Sequence, residues 1–280
     1  MADLILAHEP TIRLAAYLGI LAALAGAEIL APRRPLRHAR LHRWPANLGI
    51  AALNTLMLRL VAPGAAVGVA IWASEQGIGV FNLIAVPGWL AVLACILVLD
   101  LVIYGQHVAF HAFAPFWRLH RMHHADLDID VTSGARFHPA EILLSLGIKL
   151  AAVLALGAPA LSVLLFELLL NATSMFSHAN LALSSQGDRM LRQVLVTPDM
   201  HRVHHSWHRD ETDSNFGFCL SWWDRLFGTY RDQPRDGHQG MTIGLPAFRD
   251  PGDLRLDRML LQPLRGENVP SSQENSDQNV

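Results

Sequence analysis

The feature that most constrains this chain is a set of long, nearly charge-free apolar runs. The first, from Ile12 to Ala31, carries Arg13 at its start and Glu28 near its end. About 20 such residues wound as a helix cross the ~30 Å hydrocarbon core of a bilayer. Within that core only helices and closed barrels satisfy their own backbone. A second run, Trp44 to Trp72, contains Arg59 and the breaker pair Pro63-Gly64, which predicts a kinked or two-part helix with Arg59 facing protein or snorkelling. Ser74-Glu75-Gln76-Gly77 marks a turn, and a third run extends from Val86 to Tyr104. A fourth, Ile142 to Leu170, is broken by Gly157-Ala158-Pro159; its halves are short for full spans and predict a hairpin dipping into the bilayer.

The expected fold class is therefore all-α: a polytopic membrane helical bundle. Charged residues make up 16% of the 280 residues, against about 25% in soluble domains. What charge there is concentrates in 112–139 and 185–260, which predicts a polar cap on one membrane face. Between the first two runs lies Arg33-Arg34-Pro35-Leu36-Arg37-His38-Ala39-Arg40-Leu41-His42-Arg43, with five arginines in eleven residues. A basic loop beside a span marks the cytoplasmic side, which places the cap there. The N-terminal residues lack a basic region before the first run, so that run reads as a retained span rather than a cleaved signal. The tail, 266–280, is rich in Ser, Gln, Asn and Glu and predicts disorder. We expect one membrane-embedded domain over 1–265. A formal net charge of −2 gives no support for a nucleic-acid partner. Two cysteines, Cys95 and Cys219, exclude a disulfide framework, and neither is assigned to a metal.

The cap carries the chemistry. Nine of the 15 histidines fall in two stretches: His107, His111, His120, His123 and His124, then His201, His204, His205 and His208. Residues three or four apart share one helix face, so these imidazoles can converge. A structural zinc takes four ligands and a catalytic one three; the eight in the two repeated patterns imply two metals. Imidazole suits zinc, iron, copper and nickel alike, so ligand type does not choose the metal. His178 closes a polar stripe with Glu167, Asn171 and Ser174 and is expected as a further ligand. His138, in Arg136-Phe137-His138-Pro139, reads as a ligand or as a cap on the next helix. His208 reads as a ligand or a proton carrier. His8, His38, His42 and His238 read as surface residues. Ligand imidazoles hand their other N–H to carboxylates or carbonyls. Asp100 and Glu167, and on the aqueous side Asp126, Asp130, Asp199 and Asp210, are the candidates for that role, with helix-to-helix hydrogen bonding the alternative for the first two.

The order His107-x3-His111, His120-x2-His123-His124, His201-x2-His204-His205 resembles the fatty acid hydroxylase/sterol desaturase family of membrane di-iron enzymes. Arg136-Phe137-His138-Pro139, His178-Ala179-Asn180, Thr197-Pro198-Asp199-Met200 and Trp223-Asp224-Arg225-Leu226-Phe227-Gly228-Thr229-Tyr230 extend the likeness over about 92–230. Some members carry a histidine where this chain has Ser174. The resemblance implies two non-haem irons near the membrane face and dioxygen-dependent oxidation of a lipid C–H bond by hydroxylation or desaturation. Relatives accept fatty acyl chains, sterols, ether lipids and carotenoids. Side chains cannot do this chemistry unaided, and two electrons must arrive from outside. With no dinucleotide fingerprint or haem or iron–sulfur pattern, a separate reductase, ferredoxin or cytochrome is implied. Two other readings stand beside it: a zinc-dependent membrane hydrolase and a histidine-rich metal transporter. A transporter is expected to bind at the bilayer midplane, whereas these histidines sit in polar segments.

Overall fold

Proline and glycine punctuate the apolar runs into helices where the sequence predicts breaks. The computed structural model describes residues 2–267, so the predicted disordered tail lies almost wholly outside the described residues. After a short α1 (Ala2–Ala7), α2 (Glu9–Leu30) has Pro10 in its first turn and runs for 22 residues. At 1.5 Å per residue that is about 33 Å, enough to cross a bilayer core. α3 (Arg40–Val61) stops before Pro63, Gly64 takes a left-handed φ of 67°, and α4 (Ala65–Glu75) begins. The two-part helix is thus as expected, with Arg59 exposed in the last turn of α3. A short α5 (Val80–Leu83) leads to α6 (Gly88–Ala112), whose 25 residues extend about 38 Å. That length exceeds the bilayer core by about 8 Å, enough for the end that bears His107 and His111 to reach its edge. α7 (Ala114–His124) turns away immediately.

The hairpin is longer than the sequence reading gave it. α8 (Pro139–Leu156) and α9 (Ala160–His178) have 18 and 19 residues, and both are long and apolar enough to cross a membrane. Counting the α3–α5 stretch once, five such candidate spans are present among the described residues. The turn between α8 and α9 is held close to that before α5: a Cβ on Gly79 would stand 2.1 Å from the Gly157 nitrogen. The apolar core comes from α4, α6, α8 and α9, through Ala70, Leu99, Ile103, Val153, Leu164 and Phe166. α9 packs against α2, α4 and α6. The outer faces show large apolar side chains to the surroundings, among them Leu56, Leu60, Trp89 and Leu93. Exposed patches of this kind mark a lipid-facing surface.

The chain between α7 and α8, and the described residues after α9, fold as the cap. It contains short helices, including α10 (Ser185–Leu191) and α11 (Pro198–His204), and isolated bridges Pro32–Leu181, Leu195–Leu220 and Ser206–Ile243; no β-strand occurs among the described residues. The polar stretch after His124 is buried rather than solvated. Arg43, itself fully buried, donates to Asp126 (2.7 and 2.8 Å), to Asp130 (2.6 Å) and to the hydroxyl of Ser133 (3.0 Å). Asn47 joins Asp126 to Thr132 and accepts from Arg136. Burial alone would raise the Asp126 carboxyl, but the Arg43 and Arg136 guanidiniums more than offset it and hold it well below the usual carboxylate range. So one arginine of the basic loop is a structural ion-pair partner. Removing one member of such a pair costs about 3–5 kcal/mol.

Candidate metal centre

Four separate pieces of chain bring nine imidazoles together. α6 contributes His107 and His111, one turn apart. On α7, His120 and His124 share a face while His123, about 100° round the helix, points to a second group. α9 ends on His178. α11 is opened by Thr197, whose hydroxyl accepts from the Met200 N–H, and carries His201 and His204, with His205 just past its end. The result is two groups: His107, His111, His120, His124 and His204, and His123, His178, His201 and His205, each with ligand atoms within 4.8 Å of one another. The groups adjoin, with His124 stacked on His205 at 4.6 Å between ring centres. All nine rings are buried. His138, the tenth candidate, is in neither group: its Nδ1 caps α8 by accepting from the Ala140 N–H, and its Nε2 faces the Leu260 carbonyl at 3.2 Å. Both nitrogens are engaged locally, which corrects the ligand reading in favour of the cap. His208 also stands outside, facing Asp236 at 2.9 Å.

The ring nitrogens state what they are waiting for. His107, His178 and His204 place Nδ1 2.7 Å from the carbonyls of Phe216, Ser174 and Ser214, and His123 places its Nδ1 3.3 Å from that of Arg136. A carbonyl only accepts, so each Nδ1 carries the proton and each Nε2 presents a lone pair. Yet His123 and His178 face each other Nε2 to Nε2 at 3.0 Å, and His178 meets His201 at 3.1 Å and His205 at 3.2 Å. His107 and His120 do the same at 3.0 Å. Facing lone pairs repel unless a cation lies between them. A proton is a poor candidate: burial, then the neighbouring imidazoles, push His123, His124, His201 and His205 well below the ordinary histidine value, and His204 to about 3. Further buried nitrogens, Nε2 of His111 and His204, have no protein partner. Two nitrogens bound to one ion at about 2.1 Å each stand some 3–4 Å apart, which matches these separations. The donor set fits metal ions.

Residues 92–229 match the fatty acid hydroxylase family. The chain belongs to that family. Ornithine lipid hydroxylase OlsE of Rhizobium tropici is 28% identical over 141 residues, covering 50% of this chain and 42% of that protein. Alkylglycerol monooxygenase of Homo sapiens is 29% identical over 149 residues, covering 53% and 32%. The Xenopus tropicalis alkylglycerol monooxygenase is 34% identical over 71 residues, covering 25% and 16%. The chain thus spans less than half the length of these curated relatives. No solved structure matches significantly.

The carboxylates that orient imidazoles are not those the sequence suggested. Glu141 stands 2.7 Å from His120 Nδ1, and Asp213 3.0 Å from His111 Nδ1. Asp100 instead accepts from the backbone of Cys219 and Leu220 and from the Trp223 indole. It acts on the ligands only by holding the segment whose Phe216 carbonyl fixes His107. Asp224 holds the same segment through the Phe216 and Gly217 N–H groups (2.7 and 2.9 Å), and burial lifts its carboxyl to about 6. Glu167 pairs with Arg13 and Lys149. It lies 11 residues before His178, about 16 Å lower along α9. Asp199 is spent on Arg33 and Arg202, Asp126 and Asp130 on Arg43, and Asp210 on Arg231 and Arg235. His238, read as a surface residue, is buried beside Asp199, and burial lowers it to about 4. Ser174 hydrogen-bonds the Gly134 carbonyl at 2.9 Å, tying α9 to the loop after α7.

Proposed function

We propose that this chain is a membrane-embedded, dioxygen-dependent hydroxylase of a lipid C–H bond, with two non-haem irons held by its nine clustered histidines. The observation that carries the reading is the pair of adjoining, buried imidazole groups at the end of helices long enough to span a bilayer. Iron with dioxygen supplies the oxidising power that no side chain has. The chain's own contribution is threefold. Six of its imidazoles, those of His107, His111, His120, His123, His178 and His204, are kept in one tautomer by carbonyls, Glu141 or Asp213 and direct Nε2 inward. Burial of the rings excludes bulk water. Phe218 packs on the transmembrane core and also lies 5.0 Å from His107, so an apolar chain approaching from the bilayer meets the site there. The relatives' names, lipid hydroxylase and monooxygenase, favour hydroxylation over desaturation. Electrons come from a separate donor protein.

The basic loop supports a cap on the cytoplasmic face. A cysteine replacing the exposed Asp257 is then labelled by an impermeant maleimide only from that side; labelling from the outer face reverses the orientation. The activity is tested by lipid mass spectrometry of membranes with and without the protein under labelled dioxygen. A product gaining one labelled oxygen is expected. Loss of two hydrogens without label makes the enzyme a desaturase, and unchanged lipids from a zinc-only protein favour a hydrolase and end the oxygenase reading.

A further inference from the structure

At the cap end of α2 an open recess of about 270 Å³ lies between the basic loop, α3 and Asn180. It is slightly smaller than the roughly 300–1,000 Å³ of small-molecule pockets, which suits a head group rather than a whole lipid. Ile29 and Leu30 beside it are 65% and 87% exposed at the end of a candidate span. The recess therefore sits at the depth where hydrocarbon gives way to head groups. One wall is Arg34, only 4% exposed. Asn180 clamps its backbone, accepting from the Arg34 N–H and donating to its carbonyl. Its Nη1 donates to the carbonyls of His238 and Met241, but its Nε has no partner and it makes no salt bridge among the described residues. A second wall is Arg40, whose Nε is also without a partner and whose Nη2 reaches Glu28 only at 3.4 Å. Glu28 is already accepting from the N–H groups of Val131 and Asn180.

A buried guanidinium without a direct ion pair is costly, and the carboxylate whose charge reaches Arg34, that of Asp128, is engaged by the N–H groups of Arg37 and His38. Elsewhere in the same loop the chain supplies one: Arg33 has Asp199, and Arg43 has Asp126 and Asp130. Topological marking by positive charge does not require Arg34 to be buried. We propose that the recess binds the phosphate of an anionic bilayer lipid, with Arg34 and Arg40 on the phosphate and the acyl chains descending along Ile29 and Leu30 of α2. Free inorganic phosphate has the same chemistry but gains nothing from the apolar rim.

The test is native mass spectrometry of the full chain released from bilayers containing equal phosphatidylglycerol and a galactosyl diacylglycerol that lacks phosphate. The wild type retains phosphatidylglycerol preferentially. Arg40→Gln lowers that preference about fivefold, the worth of one arginine at a membrane surface. Pro35→Glu, which places a carboxylate at the exposed rim without touching a buried contact, lowers it similarly, and Arg255→Gln, outside the recess, leaves it unchanged. Equal retention of the two lipids overturns the proposal, as does a preference that survives both recess variants. Displacement of phosphatidylglycerol by millimolar inorganic phosphate overturns the lipid assignment.

Discussion

At the scale of single residues, identity and role separate. His138 and Glu141 lie three positions apart at the start of α8; the first, read as a ligand or a cap, caps the helix, and the second, to which the sequence assigns no role, faces His120. A histidine before a proline looks the same whether it binds metal or caps a helix; its ring nitrogens are used up by Ala140 and Leu260. Glu141, one acid in the first turn of an apolar helix, gives no sign of its partner 21 residues earlier. Carbonyl acceptors such as those of Phe216 and Ser214 are invisible in principle, because every residue has one. The nine grouped histidines were legible because spacing on a helix dictates which side chains share a face. Glu141→Gln should weaken metal affinity or activity by about 10–100-fold, the usual cost of disturbing a group that orients a ligand. His138→Asn, which keeps a capping side chain, should leave metal content unchanged. Titration of the metal-free variants with iron or zinc separates the two; equal loss would restore His138 to the ligand set.

At the scale of elements, the centre depends on how the loop after α7 is held between α3 and α9. Gly134 is the tightest point: a Cβ there would stand 2.7 Å from the Ser174 carbonyl oxygen and 3.2 Å from the Met175 Cα. That same carbonyl fixes His178. Gly134→Ala should destabilise the protein by about 1–3 kcal/mol and loosen the four-histidine group more than the five-histidine one, read as the loss of one metal equivalent on mild chelation. The imidazoles also set an acid limit. His204 is lowered to about 3 in the folded chain from an ordinary 6.5, first by burial and then by His120. Between those values the unfolded chain binds protons that the folded chain refuses. The metal-free protein should therefore lose stability as pH falls from about 6.5 towards 3, and bound metal should move the loss to lower pH. A thermal-unfolding series with and without metal checks this; a flat metal-free profile across that window contradicts it.

At the scale of the molecule, the division into apolar runs and a polar cap was legible because bilayer length and charge depletion are coarse signals. The burial of the cap was not. The 125–134 stretch reads as a polar loop, and only the arrival of Arg43 from α3 makes it interior. Contacts at that sequence distance leave no local pattern. The central claim is that five and four histidines from these distant pieces hold two metal ions side by side. Metal analysis of the protein purified from its own membranes tests it most directly. The account predicts two irons per chain, and about one after either His111→Ala or His201→Ala, each of which removes a ligand from one group alone. A wild-type chain with a single metal site, or both variants keeping two irons, would contradict it.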